Sequence, residues 1–311
     1  MSLDAEIAEL LPALNGGFPR VETMTAPQLR AVIRQRVQRL PHTEPVGKTI
    51  DQTVPGPTGD IAVRIYWPTA SSGPLPVVVF AHGGGFVFCD LDSHDELCRA
   101  MTNGVCAVVV SVDYRLAPES PWPAAAQDVY AVADWAARQA EELGGDPTRL
   151  LVAGDSAGGN LATVTALLAR DRGRPTIAGQ LLLYPVIAAD FGTASYRHFG
   201  TGYCNTAAAM AWYWDQYAPN LADRSHPYAS PLRARLTGLP PAVVISAGFD
   251  PLCSENEAYA KALADASVTT IHRHHAGAIH GFMTMAGLGI CAQARKQAWA
   301  DISALLSRSL E

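Results

Sequence analysis

Residues 150–162 read LLVAGDSAGGNLA: a short apolar run that suits a buried strand, a serine with a glycine two positions to either side, and an alanine-containing start to a helix. The spacing Gly154-x-Ser156-x-Gly158 has a physical reason. A serine at a sharp strand-to-helix turn takes a strained backbone conformation, and only neighbours without a Cβ let strand and helix pass so close. The turn exposes the Ser156 hydroxyl. It also aims the amide of Ala157, and the positive end of the helix that follows, at an approaching carbonyl oxygen. An ordinary glycine-rich strand-to-helix turn shares this composition, so the surroundings must decide between them.

Working outward, short apolar and β-branched runs at 76–81, 106–112, 150–153, 181–184 and 242–246 are each followed by a helix-like stretch. That alternation predicts a mostly parallel, doubly wound sheet with helices on both faces. Residues 124–143 predict one such helix, stopped by Gly144 and Gly145. Segments 48–54 and 61–67 flank a Pro-Gly-Pro-Thr-Gly turn and predict an antiparallel hairpin at the sheet edge. Two regions break the alternation: 1–45, amphipathic and helical, and 188–225, rich in aromatics. We expect both to form a cap, leaving 46–187 and 226–311 as the two parts of the core. The chain has no internal repeat and no low-complexity tract.

The run at 76–81 ends in His82-Gly83-Gly84-Gly85-Phe86, a loop able to turn backbone amides inward with no side chain in the way. With no G-K-[ST] after it and no G-x-G-x-x-G opening a helix, a phosphate cradle is disfavoured. The amides of Gly84, Gly85 and Ala157 are therefore expected to form an oxyanion hole, each donor worth on the order of 3 kcal/mol of barrier. His82 is expected to prop the glycines rather than to act as a base.

In this type of sheet the acid follows the nucleophile and the histidine comes last. Asp250, just past the run at 242–246 and held out of a helix by Pro251, is the expected acid; an N-cap role is the bland alternative, and Glu255 is the substitute. The next strand, 268–275, leads to His280, the expected base, with Nε2 toward Ser156 and Nδ1 toward Asp250. His272 and His274 alternate along that edge strand with His275 beside them. They are expected to share a solvated face, and a metal there lacks a third ligand in the spacing. His94, His198 and His226 fall outside the expected loop.

Taken together, 82–86 (HGGGF), 113–119 (DYRLAPE), 154–160 (GDSAGGN), 250–252 (DPL) and 280–282 (HGF) resemble the hormone-sensitive-lipase-like esterases, or bacterial lipase family IV, over about residues 45–285. The resemblance implies an eight-stranded α/β-hydrolase sheet, a mainly helical cap and hydrolysis of short acyl esters without metal or organic cofactor. It also implies that 113–119 is a structural turn near the site. Where the family reads Asp-Pro-Leu-Arg-Asp-Glu, this chain has Cys253 and Ser254 before Glu255, which puts local contacts of the acid loop in question. Phe86, Trp212 and Trp214 are candidates to line the acyl pocket, against plain packing of cap on core.

A balance of 23 basic and 29 acidic residues, net charge -6, with no basic run, makes nucleic acid a poor partner. No stretch approaches the roughly 18 apolar residues of a membrane span. The opening residues carry acids where a signal peptide is basic. Six scattered cysteines without a C-x-x-C pair read as reduced thiols. These features point to a cytoplasmic enzyme acting on a small-molecule ester, with homodimerisation through an exposed sheet edge left open. The alternatives are a lipase on longer chains, disfavoured by a mean hydropathy of +0.07, and a non-catalytic ligand receptor on the same scaffold.

Overall fold

The computed structural model describes residues 2–37 and 44–308; the part of the expected N-terminal cap at 38–43 lies outside them. The strands are β1 (Lys48–Pro55), β2 (Asp60–Trp67), β3 (Leu75–Ala81), β4 (Val108–Val112), β5 (Gly145–Asp155), β6 (Gly179–Leu183), β7 (Ala242–Phe249) and β8 (Thr270–Ile279). They form one eight-stranded sheet in the order β1-β2-β4-β3-β5-β6-β7-β8. The β1–β2 and β2–β4 pairings are antiparallel, and every pairing from β4 through β8 is parallel.

The helices are α1 (Ala5–Gly17), α2 (Ala26–Val37), α3 (Asp95–Val105), α4 (Ala124–Arg138), α5 (Ala157–Arg172), α6 (Ala194–Phe199), α7 (Ala207–Tyr217), α8 (Cys253–Asp265) and α9 (Gly289–Arg308). Central strands are apolar on both faces because both are covered. Along β3, Val77 and Val79 pack with Val129 and Val132 of α4, while the intervening Val78 and Phe80 pack with Leu97 of α3 and Ile302 of α9. A third cluster joins Val152, Leu182 and Val244 to Tyr259 and Leu263 of α8.

Several element ends differ from expectation, among them the end of β8, which runs to Ile279 and so reaches His280 directly. Cys106 does not start β4: it caps α3 in the left-handed conformation (φ 54), so the strand begins two residues later. Helix α4 stops at Arg138, and a separate turn through 139–144 closes on Gly144, whose φ of +76 favours glycine. Strand β5 then starts at Gly145, earlier than its apolar stretch, because Gly145 pairs with Leu75 across a register shift.

Helix α3 approaches α9 so closely at Gly104 that a Cβ there would overlap the indole of Trp299. Gly104→Val is expected to lower stability by about 1–3 kcal/mol through overpacking. A thermal melt of the variant should therefore fall by several degrees; an unchanged midpoint would show that the two helices can part without cost.

Candidate active site

Ser156 sits between β5 and α5 with φ 54 and ψ -118. A Cβ on Gly158 would fall inside the carbonyl of Ala81, and one on Gly154 inside that of Gly158, which explains the glycines on both sides of the serine. The backbone is pinned there: the Ser156 amide donates to Leu183 O at 2.9 Å, and its carbonyl accepts from Val186 N at 3.0 Å.

His280 follows directly on β8, and Asp250 follows directly on β7. The His280 ring joins the other two: Nε2 lies 2.9 Å from Ser156 Oγ, and Nδ1 lies 2.7 Å from Asp250 Oδ2. Asp250 is 0% exposed and its other oxygen accepts from Leu252 N at 2.9 Å, so the turn also fixes the carboxylate plane. Glu255 is elsewhere occupied. Its buried carboxylate accepts from Ile187 N at 2.6 Å and Ala188 N at 3.3 Å, tethering the chain after β6, and burial pushes its pKa up despite those bonds.

Among the described residues, the amides of Gly84, Gly85 and Ala157 donate to no acceptor, whereas Gly83 N donates to Asp155 Oδ1 at 2.7 Å. Gly84 and Gly85 line the cavity at Ser156. His82 does not line the cavity at Ser156. Its Nδ1 is 2.7 Å from Gly83 O and its ring stacks on Tyr114 at 4.3 Å, while burial and then the neighbouring His94 hold its pKa down to about 4. The Tyr114 hydroxyl donates to His82 O at 2.7 Å. Ala117 N donates to Phe86 O at 2.9 Å, so 113–119 buttresses the glycine loop from behind.

His94 lies outside the loop of His280, as expected, and it also lines the cavity beside Ser156, with Nε2 3.1 Å from Asp155 Oδ1 and Nδ1 3.0 Å from Ser93 Oγ. Burial alone would lower its pKa, but the adjacent Asp155 carboxylate outweighs burial and raises it. Asp155 is correspondingly held low by His94 against its own burial. The pair places a buried charge couple beside Ser156 and anchors Gly83. No motif spacing links positions 94 and 155, so the sequence carries no signal for this contact.

The cavity holds about 310 Å³ and is walled by Leu14 and Phe18 of and beside α1, Ile33 of α2, Phe88, and Met210 and Tyr213 of α7. Phe86, Trp212 and Trp214 are not among its lining residues, which corrects the expectation for all three. Phe86 is 1% exposed and stacks on Tyr217 with centroids 3.7 Å apart, with Trp214 6.1 Å away. Helix phase is the cause: Met210 and Tyr213 share the face over the cavity, Trp214 and Tyr217 lie on the flank packed to Phe86, and Trp212 is partly buried against the same core.

A mostly parallel eight-stranded sheet, with a serine turn at the carboxyl end of β5, defines a hydrolase of the α/β type. A family model describing the alpha/beta hydrolase fold matches residues 78–284. The chain is 43% identical over 267 residues to the carboxylic ester hydrolase LipN of Mycobacterium tuberculosis, covering 84% of this chain and 71% of that protein. It is 40% identical over 290 residues to the carboxylesterase NlhH of the same species, covering 90% of each. A hyperthermophilic esterase from the archaeon Pyrobaculum calidifontis superposes with a TM-score of 0.93 at 40% identity, over 98% of this chain and 99% of that one. The chain belongs to the α/β-hydrolase family, within its hormone-sensitive-lipase-like group. No helix among the described residues is long and apolar enough to cross a membrane.

The His94–Asp155 pair has a pH signature. Because the folded pKa of His94 is raised, its contribution to stability is whole below the unfolded value of about 6.5 and is lost as pH rises through the folded value. In melts of the native chain and His94→Gln, the gap in Tm should be widest below about pH 6.5 and narrow as the pH rises toward the folded value of about 10. A gap that stays constant would contradict a charged pair.

Proposed function

We propose that this chain is a carboxylesterase that hydrolyses short acyl esters by two-step acyl transfer, with Ser156 as nucleophile, His280 as general base and acid, and Asp250 as the group that orients the imidazole. The observation that carries the proposal is the chain of contacts from Ser156 Oγ to His280 Nε2 at 2.9 Å and from Nδ1 to Asp250 at 2.7 Å, on a turn that leaves nearby amides undonated. The ester hydrolases among its relatives support the same substrate class.

In the first half-reaction Ser156 Oγ attacks the ester carbonyl while Nε2 of His280 takes its proton. The carbonyl electron pair moves onto oxygen, where the amides of Gly84, Gly85 and Ala157 would receive it. Collapse breaks the bond to the alcohol, which leaves with the proton from His280. Water, activated by the same imidazole, then attacks the acyl-enzyme and releases the carboxylic acid and free Ser156. Asp250 favours the tautomer with the proton on Nδ1 and stabilises the imidazolium in both steps. Asp155 and His94 act through Gly83, keeping the glycine loop in position over the serine.

The division into cap segments 1–45 and 188–225 over core segments 46–187 and 226–311 is part of this proposal. Its support is that Leu14, Ile33, Met210 and Tyr213 wall a cavity whose floor is Ser156 and His280. A cytoplasmic setting fits the six free thiols, and a homodimer through a sheet edge is the oligomeric form we propose.

Hydrolysis of p-nitrophenyl esters from acetate to decanoate tests the proposal. Acetate and butyrate should turn over fastest. Ser156→Ala should remove activity, and Asp250→Asn should lower kcat by about 10³–10⁴ with little change in KM. A Ser156→Ala protein that still hydrolyses at more than a trace of the native rate would reject the assignment.

The same series separates pocket from packing. Met210→Ala should shift the preference to longer acyl chains by enlarging the cavity. Trp214→Ala should leave that preference in place and lower stability by about 3–5 kcal/mol as a buried aromatic is lost. The reverse pattern would put Trp214 back in the pocket.

A further inference from the structure

Outside the cavity at Ser156, α8 lies against β7 and β8. Cys253 and Glu257 stand one turn apart on α8, and both reach His274 on β8. The Cys253 thiol sulfur is 3.7 Å from Glu257 Oε1, and the same oxygen is 3.8 Å from His274 Nδ1. Ligand atoms of all three lie within 4.8 Å of one another. The expected solvated face of the histidines is thus only part of the picture: Ser246 Oγ, from β7, lies 2.8 Å from His272 Nε2 and 3.1 Å from His274 Nδ1, holding both rings toward α8. The two further donors that the strand spacing lacked both come from α8.

We propose that Cys253, Glu257 and His274 form a binding site for a thiophilic divalent cation, with zinc as the best fit. A tetrahedral zinc with bonds of 2.0–2.3 Å separates its ligands by about 3.3–3.8 Å. Two of the three separations already match, and the third closes with a small side-chain movement. One thiolate, one imidazole and one carboxylate suit zinc rather than calcium or magnesium, which take oxygen donors. Side-chain exposures of 54% for Glu257 and 28% for His274 leave an entry path and a fourth position for water. On binding, His274 Nδ1 exchanges its contact with Ser246 Oγ for zinc, a sulfur–zinc bond forms and the thiol proton passes to solvent. Cys253 and Ser254 are also the positions at which this chain departs from the family pattern.

The site joins two segments that matter elsewhere. Helix α8 begins three residues after Asp250, and β8 ends at the residue before His280. A cation held between them would clamp the two chain segments that deliver the acid and the base, without touching substrate. The inference does not depend on the ester chemistry.

The test uses the full chain, stripped with a chelator, kept reduced, and titrated with cobalt chloride and then zinc chloride. The site predicts one cobalt per chain, a thiolate-to-cobalt charge-transfer band in the near ultraviolet and displacement by zinc. At about 100-fold excess over Kd, zinc should raise Tm by roughly 3–6 °C. Cys253→Ser should abolish the charge-transfer band, and His274→Asn and Glu257→Gln should each weaken affinity at least about tenfold. Absence of saturable binding, or a band of full strength in Cys253→Ser, would overturn the site. Should Cys253→Ser melt as an unfolded protein, His274→Asn on the edge strand decides, and native affinity in that variant overturns the proposal.

Discussion

A serine does not hold φ 54 and ψ -118 by its own preference; a residue in so sparsely populated a region costs on the order of 1–3 kcal/mol, and the surrounding structure must over-determine it. Here the strain is held from both ends. Strand β5 is buried from Leu150 through Asp155, and the first three turns of α5 are buried on every side, so neither element can rotate to relax the turn between them. Asn160 adds a clamp, its side-chain amide donating to Val186 O and Ala229 O at 2.9 Å each, and Asn256 donates to Pro185 O at 2.6 Å. The segment leaving β6 is thereby tied to both α5 and α8.

With the serine fixed, the remaining geometry follows from the sheet. Parallel strands end on one edge, so residues just past β5, β7 and β8 meet there although they are far apart in sequence. Asp155 serves the same end from inside the turn. Its backbone belongs to the elbow and its carboxylate holds Gly83 N, so the glycine loop after β3 and the serine after β5 are registered by one side chain. His94 supplies the positive partner that keeps this buried carboxylate ionised.

The parts legible in the sequence are those the backbone dictates. Gly154 and Gly158 are required by contacts at short range, Gly84 by a φ of +106, and Asp250 and His280 by their place after strands. What was hidden depends on direction in space. Whether Tyr213 or Trp214 faces the cavity is a matter of helix phase against a partner surface, and both residues are equally aromatic in the sequence. His94 meets Asp155, and His274 meets Cys253, only because separate elements converge. The polar start of β5, with Asp146 and Arg149 bonded to each other at 2.8 Å, lacked any strand-like pattern because residues 146–149 fall in the register shift between the paired Gly145 and Leu150.

The central claim is that the Ser156 hydroxyl is the group made reactive by this arrangement. Incubation with a p-nitrophenyl alkylphosphonate, followed by intact-mass and peptide mass spectrometry, tests it most directly, since attack forms an Oγ–phosphorus bond and expels p-nitrophenolate. The account predicts one adduct per chain, carried by the peptide containing Ser156, and slow or absent labelling when His280 is changed to alanine. Stoichiometric labelling at another residue, or labelling indifferent to His280, would contradict it.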